Sequence, residues 1–145
     1  MTKIKVSSTT KGAQPDFPLP VYVSVEAALD KKATDLTVLD LRHAGAFADF
    51  FVLCSAANAR QVKAIVDLIE ERLREHGVRP SHIEGYDRAE WVLIDCFDLI
   101  IHVFTAETRT FYRLERLWGS ATRIDIGDAS ALPSRTAAER SASLP

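Results

Sequence analysis

The chain has 145 residues, a length that favours a single domain with a substantial hydrophobic core. Hydrophobic residues make up 47% of the chain, which argues against a disordered protein. The net charge of −2 and the pI near 6.1 argue against general binding of nucleic acid, which needs a basic surface. We find no secretory signal and no apolar run long enough to span a membrane, so we expect a cytoplasmic protein.

The two ends of the chain differ in composition from the middle. Residues 1–23 are rich in serine, threonine and proline and show no apolar periodicity, which predicts a flexible N-terminal arm. Ser24 is placed to cap a short helix that runs to about residue 32. Residues 120–145 resemble the arm in composition and predict a flexible C-terminal tail. The folded domain is therefore expected to span residues 24–119.

Two strands and a long helix are predicted after the first short helix. Apolar runs predict strands over residues 36–41 and 50–55. Asn58 and Gln61 fit a capping box at the start of the long helix, and Gly77 fits its end. Its apolar residues recur at helical spacing and form one stripe: Val62, Ile65, Val66, Ile69 and Leu73.

A hairpin is predicted over residues 90–104, where two apolar, β-branched runs are joined by a turn at Cys96 and Phe97. Alternation places one set of side chains on the same face of the first strand: Trp91, Leu93 and Asp95. Both faces of the hairpin are mostly apolar, so helices are expected to cover both. A short edge strand is predicted just before the hairpin, over residues 81–84. Together these elements predict an α/β domain.

A last helix is predicted from a cap at Thr105 to about residue 118. Its apolar face holds Phe111, Leu114 and Trp118. A neighbouring stripe carries the arginines Arg109, Arg113 and Arg116. These arginines either contact phosphate or form a solvated face with Glu107 and Glu115 as partners.

A search for catalytic motifs finds no glycine-rich phosphate loop, no Cys-x-x-Cys pair and no serine-nucleophile motif. The four histidines share no metal-ligand spacing. Asp95 and Asp98 flank the hairpin turn, either as a metal-binding pair or as turn-forming residues. His102 lies within an apolar strand, either as a buried, hydrogen-bonded histidine or as a catalytic base.

The most unusual feature is Trp91, which follows a run of acidic, polar residues that includes Glu84, Asp87 and Glu90. An aromatic side chain among carboxylates is typical of a docking site for a basic protein. The alternative is a tryptophan packed in the core.

Several stretches carry a family resemblance: Asp49-Phe50-Phe51-Val52, Ser55 with Arg60-Gln61-Val62-Lys63-Ala64-Ile65, Glu84-Gly85, Trp91-Val92-Leu93-Ile94-Asp95, Asp98-Leu99-Ile100-Ile101-His102-Val103-Phe104, and Arg109-x-Phe111-Tyr112-x-Leu114-Glu115-x-Leu117-Trp118. In their order and spacing they resemble the Iojap family, the ribosomal silencing factors. Phe97 departs from the pattern, because the family usually has glycine at this turn position. Glycine there permits a positive φ, so Phe97 puts the turn type in question.

The resemblance implies a mixed β-sheet flanked by helices, similar to the nucleotidyltransferases but without their catalytic carboxylates. It implies no catalytic residue, no cofactor and no metal. It implies a binding protein that docks on the large ribosomal subunit, on the ribosomal protein numbered fourteen at the intersubunit face. The resemblance further implies that this binding blocks association of the small subunit and so represses translation. The implied docking residues are Trp91 at the centre, with Glu84, Gly85, Leu93 and Asp95 around it.

Two other classes of function stay open at this point. One is a nucleotidyltransferase-like enzyme or metal-dependent phosphohydrolase that uses Asp95, Asp98 and His102. The other is an RNA-binding module built on the arginines of the last helix. The missing motifs argue against the first, and the negative net charge argues against the second, so we expect no direct nucleic-acid readout. Exposed strand edges invite pairing, which leaves a homodimer of the free protein open.

Overall fold

The structure is a computed structural model that describes residues 5–6, 17–119 and 121–127. Its strands are β1 (Lys5–Val6), β2 (Thr34–Asp40), β3 (Phe50–Ala56), β4 (His82–Glu84), β5 (Trp91–Asp95), β6 (Leu99–Thr105) and β7 (Thr122–Ile126). Its helices are α1 (Leu19–Asp30), α2 (Ala59–Glu75), α3 (Ala106–Tyr112) and α4 (Leu114–Leu117). None of the helices in these ranges is long and apolar enough to cross a membrane.

The strands form one mixed sheet in the order β1-β7-β2-β3-β6-β5-β4. β3 and β6 are parallel, and every other neighbouring pair is antiparallel. β3 lies at the centre of the sheet, and its side chains are accordingly buried along the whole strand. The predicted α/β class with a mixed sheet is confirmed, as are the hairpin of β5 and β6 and the edge strand β4.

Helices cover both faces of the sheet. α1 and α2 pack on each other and on the face that includes Val52 and Ile101, which belong to the larger core. α3 packs on the opposite face, where a smaller core includes Phe51, Leu53 and Phe104. Leu114 and Trp118 extend this smaller core from α4 and the turn after it.

The long helix α2 forms largely as predicted. Asn58 caps it, since its side-chain Oδ1 accepts a hydrogen bond from the backbone N–H of Gln61 at 2.9 Å. Gln61 does not return the bond to Asn58; its Oε1 accepts from the backbone N–H of Ala57 at 2.8 Å. The apolar stripe is fully buried and consists of Val62, Ile65, Val66, Ile69 and Leu73.

The predicted start of the first helix is wrong. α1 begins at Leu19, with Pro20 in its first turn, where the missing N–H of proline breaks no hydrogen bond. Ser24 lies inside the helix, and its hydroxyl donates to the carbonyl of Pro20 at 2.8 Å. Apolar periodicity gave no signal because α1 is buried on most of its surface, so it lacks a polar face.

The ordered fold also extends beyond both predicted domain boundaries. Leu19–Asp30 reaches into the predicted N-terminal arm of residues 1–23, and the short strand Lys5–Val6 pairs with β7. β7 itself lies in the predicted C-terminal tail of residues 120–145 and pairs with β2. Strand pairing holds β1 and β7, and packing on α2 and the sheet holds α1. Both are long-range effects that local composition does not reveal. The other residues of the arm and tail lie outside the described ranges.

The predicted last helix is divided in two. Thr105 caps α3, since its hydroxyl oxygen accepts from the backbone N–H of Thr108. Arg113 then takes the left-handed conformation, with φ of 48°, and ends α3 before the short helix α4 begins. Because of the break, Leu114 and Trp118 pack on the smaller core, while Phe111 is 79% exposed and does not face inward as predicted.

Candidate protein-docking surface

Strand β5 places its two sets of side chains in different environments. Val92 and Ile94 are fully buried in the larger core. Trp91, Leu93 and Asp95 lie on the opposite face of the sheet and are only partly buried. The alternation predicted for this strand is therefore confirmed, and it leaves three of the predicted docking residues side by side.

The edge strand β4 adds charged groups to the same face. Its register pairs His82 with Asp95 and Glu84 with Leu93. His82 Nε2 lies 2.8 Å from Glu84 Oε2, and its Nδ1 lies 3.8 Å from Asp95 Oδ2. The Glu84 side chain is 66% exposed and that of Asp95 26%, so carboxylates border Leu93 on two sides. We call this surface the docking face; it consists of His82, Glu84, Trp91, Leu93 and Asp95.

The surroundings of Trp91 bear on the two interpretations that the sequence left open. Its ring packs on Phe104 and Tyr112, with ring centroids 5.1 and 4.9 Å away. Its Nε1 donates to Nδ1 of His102 at 3.1 Å. The indole is nevertheless only partly buried, so one side is held by the protein and the remainder is open to a partner.

His102 is the buried, hydrogen-bonded histidine that one interpretation of the sequence predicted. It is 4% exposed and lies edge-on to Phe51, with 4.7 Å between the ring centroids. The indole N–H of Trp91 can only donate, so Nδ1 must accept and Nε2 carries the proton. Nε2 has no hydrogen-bond partner within the described residues, and burial lowers the pKa of His102 to about 4. A neutral imidazole at this position supports the tryptophan.

Gly85 shapes the loop between β4 and β5 through its backbone conformation. Its φ is +84°, and a Cβ on it would lie 2.2 Å from the backbone oxygen of Trp91. Its carbonyl accepts from the backbone N–H of Ala89 at 2.9 Å, which closes the loop between β4 and β5. Glycine here permits the close approach that sets the strand of Trp91 against the loop.

The hairpin turn shows how the chain accommodates Phe97. Its φ is +68°, the left-handed conformation that glycine adopts without steric cost. Asp95 Oδ1 accepts from the backbone N–H of Phe97 at 2.9 Å, so Asp95 supports the turn, as one of its two interpretations predicted. The Phe97 side chain is 72% exposed at the tip.

Within the described ranges, no three His, Cys, Asp or Glu side chains are grouped to hold a metal ion.

Sequence reasoning missed an apolar extension of the docking face along α3. Tyr112 is 53% exposed and contacts Trp91, and it packs at 5.0 Å against Phe111. Phe111 and Tyr112 are consecutive in the sequence, and consecutive residues of a helix point in different directions, so both cannot face the core. This spacing could have predicted an exposed aromatic side chain. Exposed aromatic side chains beside a partly exposed tryptophan are typical of interaction surfaces.

Comparison with known proteins places the chain among ribosome-associated proteins. The family described as "Ribosomal silencing factor during starvation" matches residues 16–144. The ribosomal silencing factor of Halalkalibacterium halodurans is 38% identical over 106 residues, which cover 73% of this chain and 91% of the relative. The mouse protein named "Mitochondrial assembly of ribosomal large subunit protein 1" is 30% identical over 91 residues, 61% of this chain and 40% of the relative.

A solved structure supports the same assignment. The crystal structure of a protein from Chromobacterium violaceum is similar to this fold, with a TM-score of 0.69 and 30% sequence identity. The similarity covers 72% of this chain and 88% of that protein. Sequence and fold therefore agree, and the chain belongs to the ribosomal silencing factor family, which includes the Iojap proteins.

Proposed function

We propose that the protein binds the large ribosomal subunit through the docking face and prevents the small subunit from joining. The contact within the large subunit is the ribosomal protein numbered fourteen, at the intersubunit face. The observation that carries this proposal is Trp91, partly exposed and set beside the carboxylates of Glu84 and Asp95. The protein acts in the cytoplasm, where the subunits assemble for translation.

The chemistry of the docking face suits a basic protein partner. A tryptophan at the centre of a surface supplies a large apolar contact and is the residue type most often found at binding hot spots. The hydrogen bond to His102 fixes the indole before binding, so little side-chain freedom is lost on association. The carboxylates of Glu84 and Asp95 steer a positively charged surface and fix its register.

The mechanism is steric obstruction, in which no covalent bond is made or broken. The factor and the small subunit require the same surface of the large subunit, so binding of one excludes the other. The extent of silencing then follows the fraction of large subunits that carry the factor. A homodimer of the free protein stays a prediction.

A charge reversal on the docking face tests the proposal without disturbing the core. We expect Glu84→Lys to weaken binding to purified large subunits at least about tenfold, since a lysine opposes a basic partner. The loss should shrink as the ionic strength of the binding assay is raised.

The matched control is Glu75→Lys, an exposed residue of α2, which covers the opposite face of the sheet. This control should bind within about twofold of the unmodified protein, as expected for a change outside the interface. Equal affinity for Glu84→Lys and the control, measured by co-sedimentation at several protein concentrations, would show that the docking face does not contact the subunit.

A further inference from the structure

A concave surface lies on the same face of the sheet as the docking face, but towards β2 and β7 and away from β4 and β5. It is a cleft of about 740 Å³ between the strands β2 and β7 and the helices α3 and α4. We call it the arginine cleft after the charged side chains that line it: Arg109, Arg113, Arg116 and Arg123, with Asp35 and Asp125. Among the described residues, four arginines and two aspartates line it, although the chain as a whole has a net charge of −2.

The base of the arginine cleft is a buried cation. Arg109 is 7% exposed, contrary to the solvated helix face that was one interpretation of its sequence. Its guanidinium donates to Thr37 Oγ1 at 3.0 Å, to Ser55 Oγ at 3.2 Å and to the backbone carbonyl of Asp35. These bonds fix the guanidinium between β2, β3 and α3, so the positive charge is in place before any ligand arrives.

The backbone beside the cleft is strained at two positions. Asp35 has φ of +49° within the irregular part of β2, and its carbonyl accepts from Arg109. Arg113 has φ of +48° and divides α3 from α4. Both residues line the cleft. Non-glycine residues in this conformation cluster at ligand sites, where the surrounding structure holds them.

The rim of the cleft offers donors that the described protein does not use. Arg113 and Arg116 are exposed, and neither forms an ion pair or a side-chain hydrogen bond within the described residues. Arg123 differs, because its Nε donates to Asp125 Oδ1 at 2.9 Å. A guanidinium group binds phosphate oxygen atoms through paired N–H donors, so exposed Arg113 and Arg116 beside buried Arg109 suit a ligand with adjacent phosphates.

We propose that the arginine cleft binds a small molecule that carries a diphosphate group. The volume is that of a small-molecule site, and its concave shape suits a compact ligand better than an extended strand of RNA. Several cations around one space favour an anion with more than one charge over a single phosphate. Arg113 and Arg116 bind the phosphates at the rim, and Arg109 supplies the charge beneath them. This site is separate from the docking face, so each is tested independently.

Calorimetric titration of the full chain tests the proposal with three probes: inorganic pyrophosphate, adenosine diphosphate and uncharged adenosine. Both diphosphate compounds should bind, and adenosine should not. A stronger response to adenosine diphosphate than to pyrophosphate would assign the ligand to the nucleotides, and the reverse to simple diphosphates. Failure of both diphosphate probes to bind up to millimolar concentration at low salt would overturn the proposal.

The cleft variant is Arg113→Gln with Arg116→Gln, and the matched control is Arg60→Gln with Arg88→Gln, two exposed arginines that do not line the cleft. We expect the cleft variant to bind at least about tenfold more weakly, while the control binds like the unmodified chain. Arg113→Gln and Arg116→Gln alone should each show part of this loss of affinity. The single variants can therefore be used if the double variant folds poorly. An RNA oligonucleotide is titrated in the same way as a fourth probe. An equal loss in the control pair, or binding of the RNA oligonucleotide without binding of either diphosphate, would contradict the proposal.

Discussion

Trp91 and His102 form a hydrogen-bonded pair in which the indole Nε1 donates to the imidazole Nδ1 at 3.1 Å. The pair crosses the hairpin between β5 and β6, where Leu93 lies opposite His102 and Trp91 opposite Phe104. The bond satisfies the one polar atom of the indole from inside the protein. The exposed part of Trp91 is then free to make apolar contacts with a partner, and the buried histidine fixes its orientation.

The pair makes the stability of the protein dependent on pH. Burial lowers the pKa of His102 from 6.5 to about 4, so the folded state disfavours the protonated form. The unfolded chain takes up this proton as the pH falls below about 6.5, while the folded chain resists it until about pH 4. The free energy of unfolding should therefore be unaffected by this group above about pH 6.5. It should fall by about 3 kcal/mol between about pH 6.5 and pH 4.

Urea denaturation at several pH values from about 7 down to about 4 measures this dependence. The control is His102→Gln, which keeps an acceptor for the indole but does not titrate. Between these pH values, the decrease in the free energy of unfolding should be about 3 kcal/mol smaller for His102→Gln than for the unmodified protein. Parallel pH profiles for the two proteins would show that His102 does not carry the effect.

Gly85 is predicted to tolerate a side chain less well than Gly45. Gly85→Ala combines a positive φ with a Cβ placed 2.2 Å from the backbone oxygen of Trp91, so the loop must move. Gly45→Ala is the matched control, because Gly45 has φ of +75° but a Cβ added to it would meet nothing within 4 Å. We expect Gly85→Ala to lower the free energy of unfolding by at least about 2 kcal/mol, and Gly45→Ala by about 1 kcal/mol. Similar values for the two would show that the backbone contact is relaxed at little cost.

Phe97 is predicted to strain the hairpin turn. Its φ of +68° costs energy for any residue with a Cβ, and its exposed ring returns little by packing. Phe97→Gly should therefore be more stable in urea than Phe97→Ala by about 0.5–1 kcal/mol, after allowance for the greater freedom of unfolded glycine. A more stable alanine variant would mean that the turn is not strained at this position.

Trp91 is predicted to dominate binding to the large subunit. Trp91→Ala should weaken binding by at least about 2 kcal/mol, roughly 30-fold, because it removes the central apolar contact. Trp91→Phe keeps an aromatic ring on Phe104 and Tyr112 and should lose less. Circular dichroism must show both variants folded. Unchanged affinity of a folded Trp91→Ala would remove Trp91 from the interface.

Local sequence signals predicted the elements that carry their own pattern. The capped, amphipathic helix α2 and the alternating strand β5 follow from spacing alone, because each buries one side of its own surface. α1 is buried on most sides, so its sequence shows no contrast between an apolar and a polar face. Its start was therefore predicted incorrectly. The strand β7 depends on pairing with β2, which no local pattern specifies.

The grouping of side chains on the docking face, but not their supporting contacts, could be predicted from local pattern. Alternation within one strand placed Trp91, Leu93 and Asp95 together. The roles of Gly85 and His102 depend on register between strands: one approaches the backbone of Trp91 and the other accepts from its indole. The arginine cleft could not be predicted from local sequence patterns. It forms only because the helix breaks at Arg113 and the chain returns to the sheet as β7.

Subunit joining measured on sucrose gradients tests the central claim most directly. Purified small and large subunits are mixed at a magnesium concentration that permits joining, with the protein in excess over large subunits. The account predicts that the protein migrates with the large subunit, that joined particles decrease as it is added, and that folded Trp91→Ala restores joining. Normal joining while the protein saturates the large subunit would contradict the account.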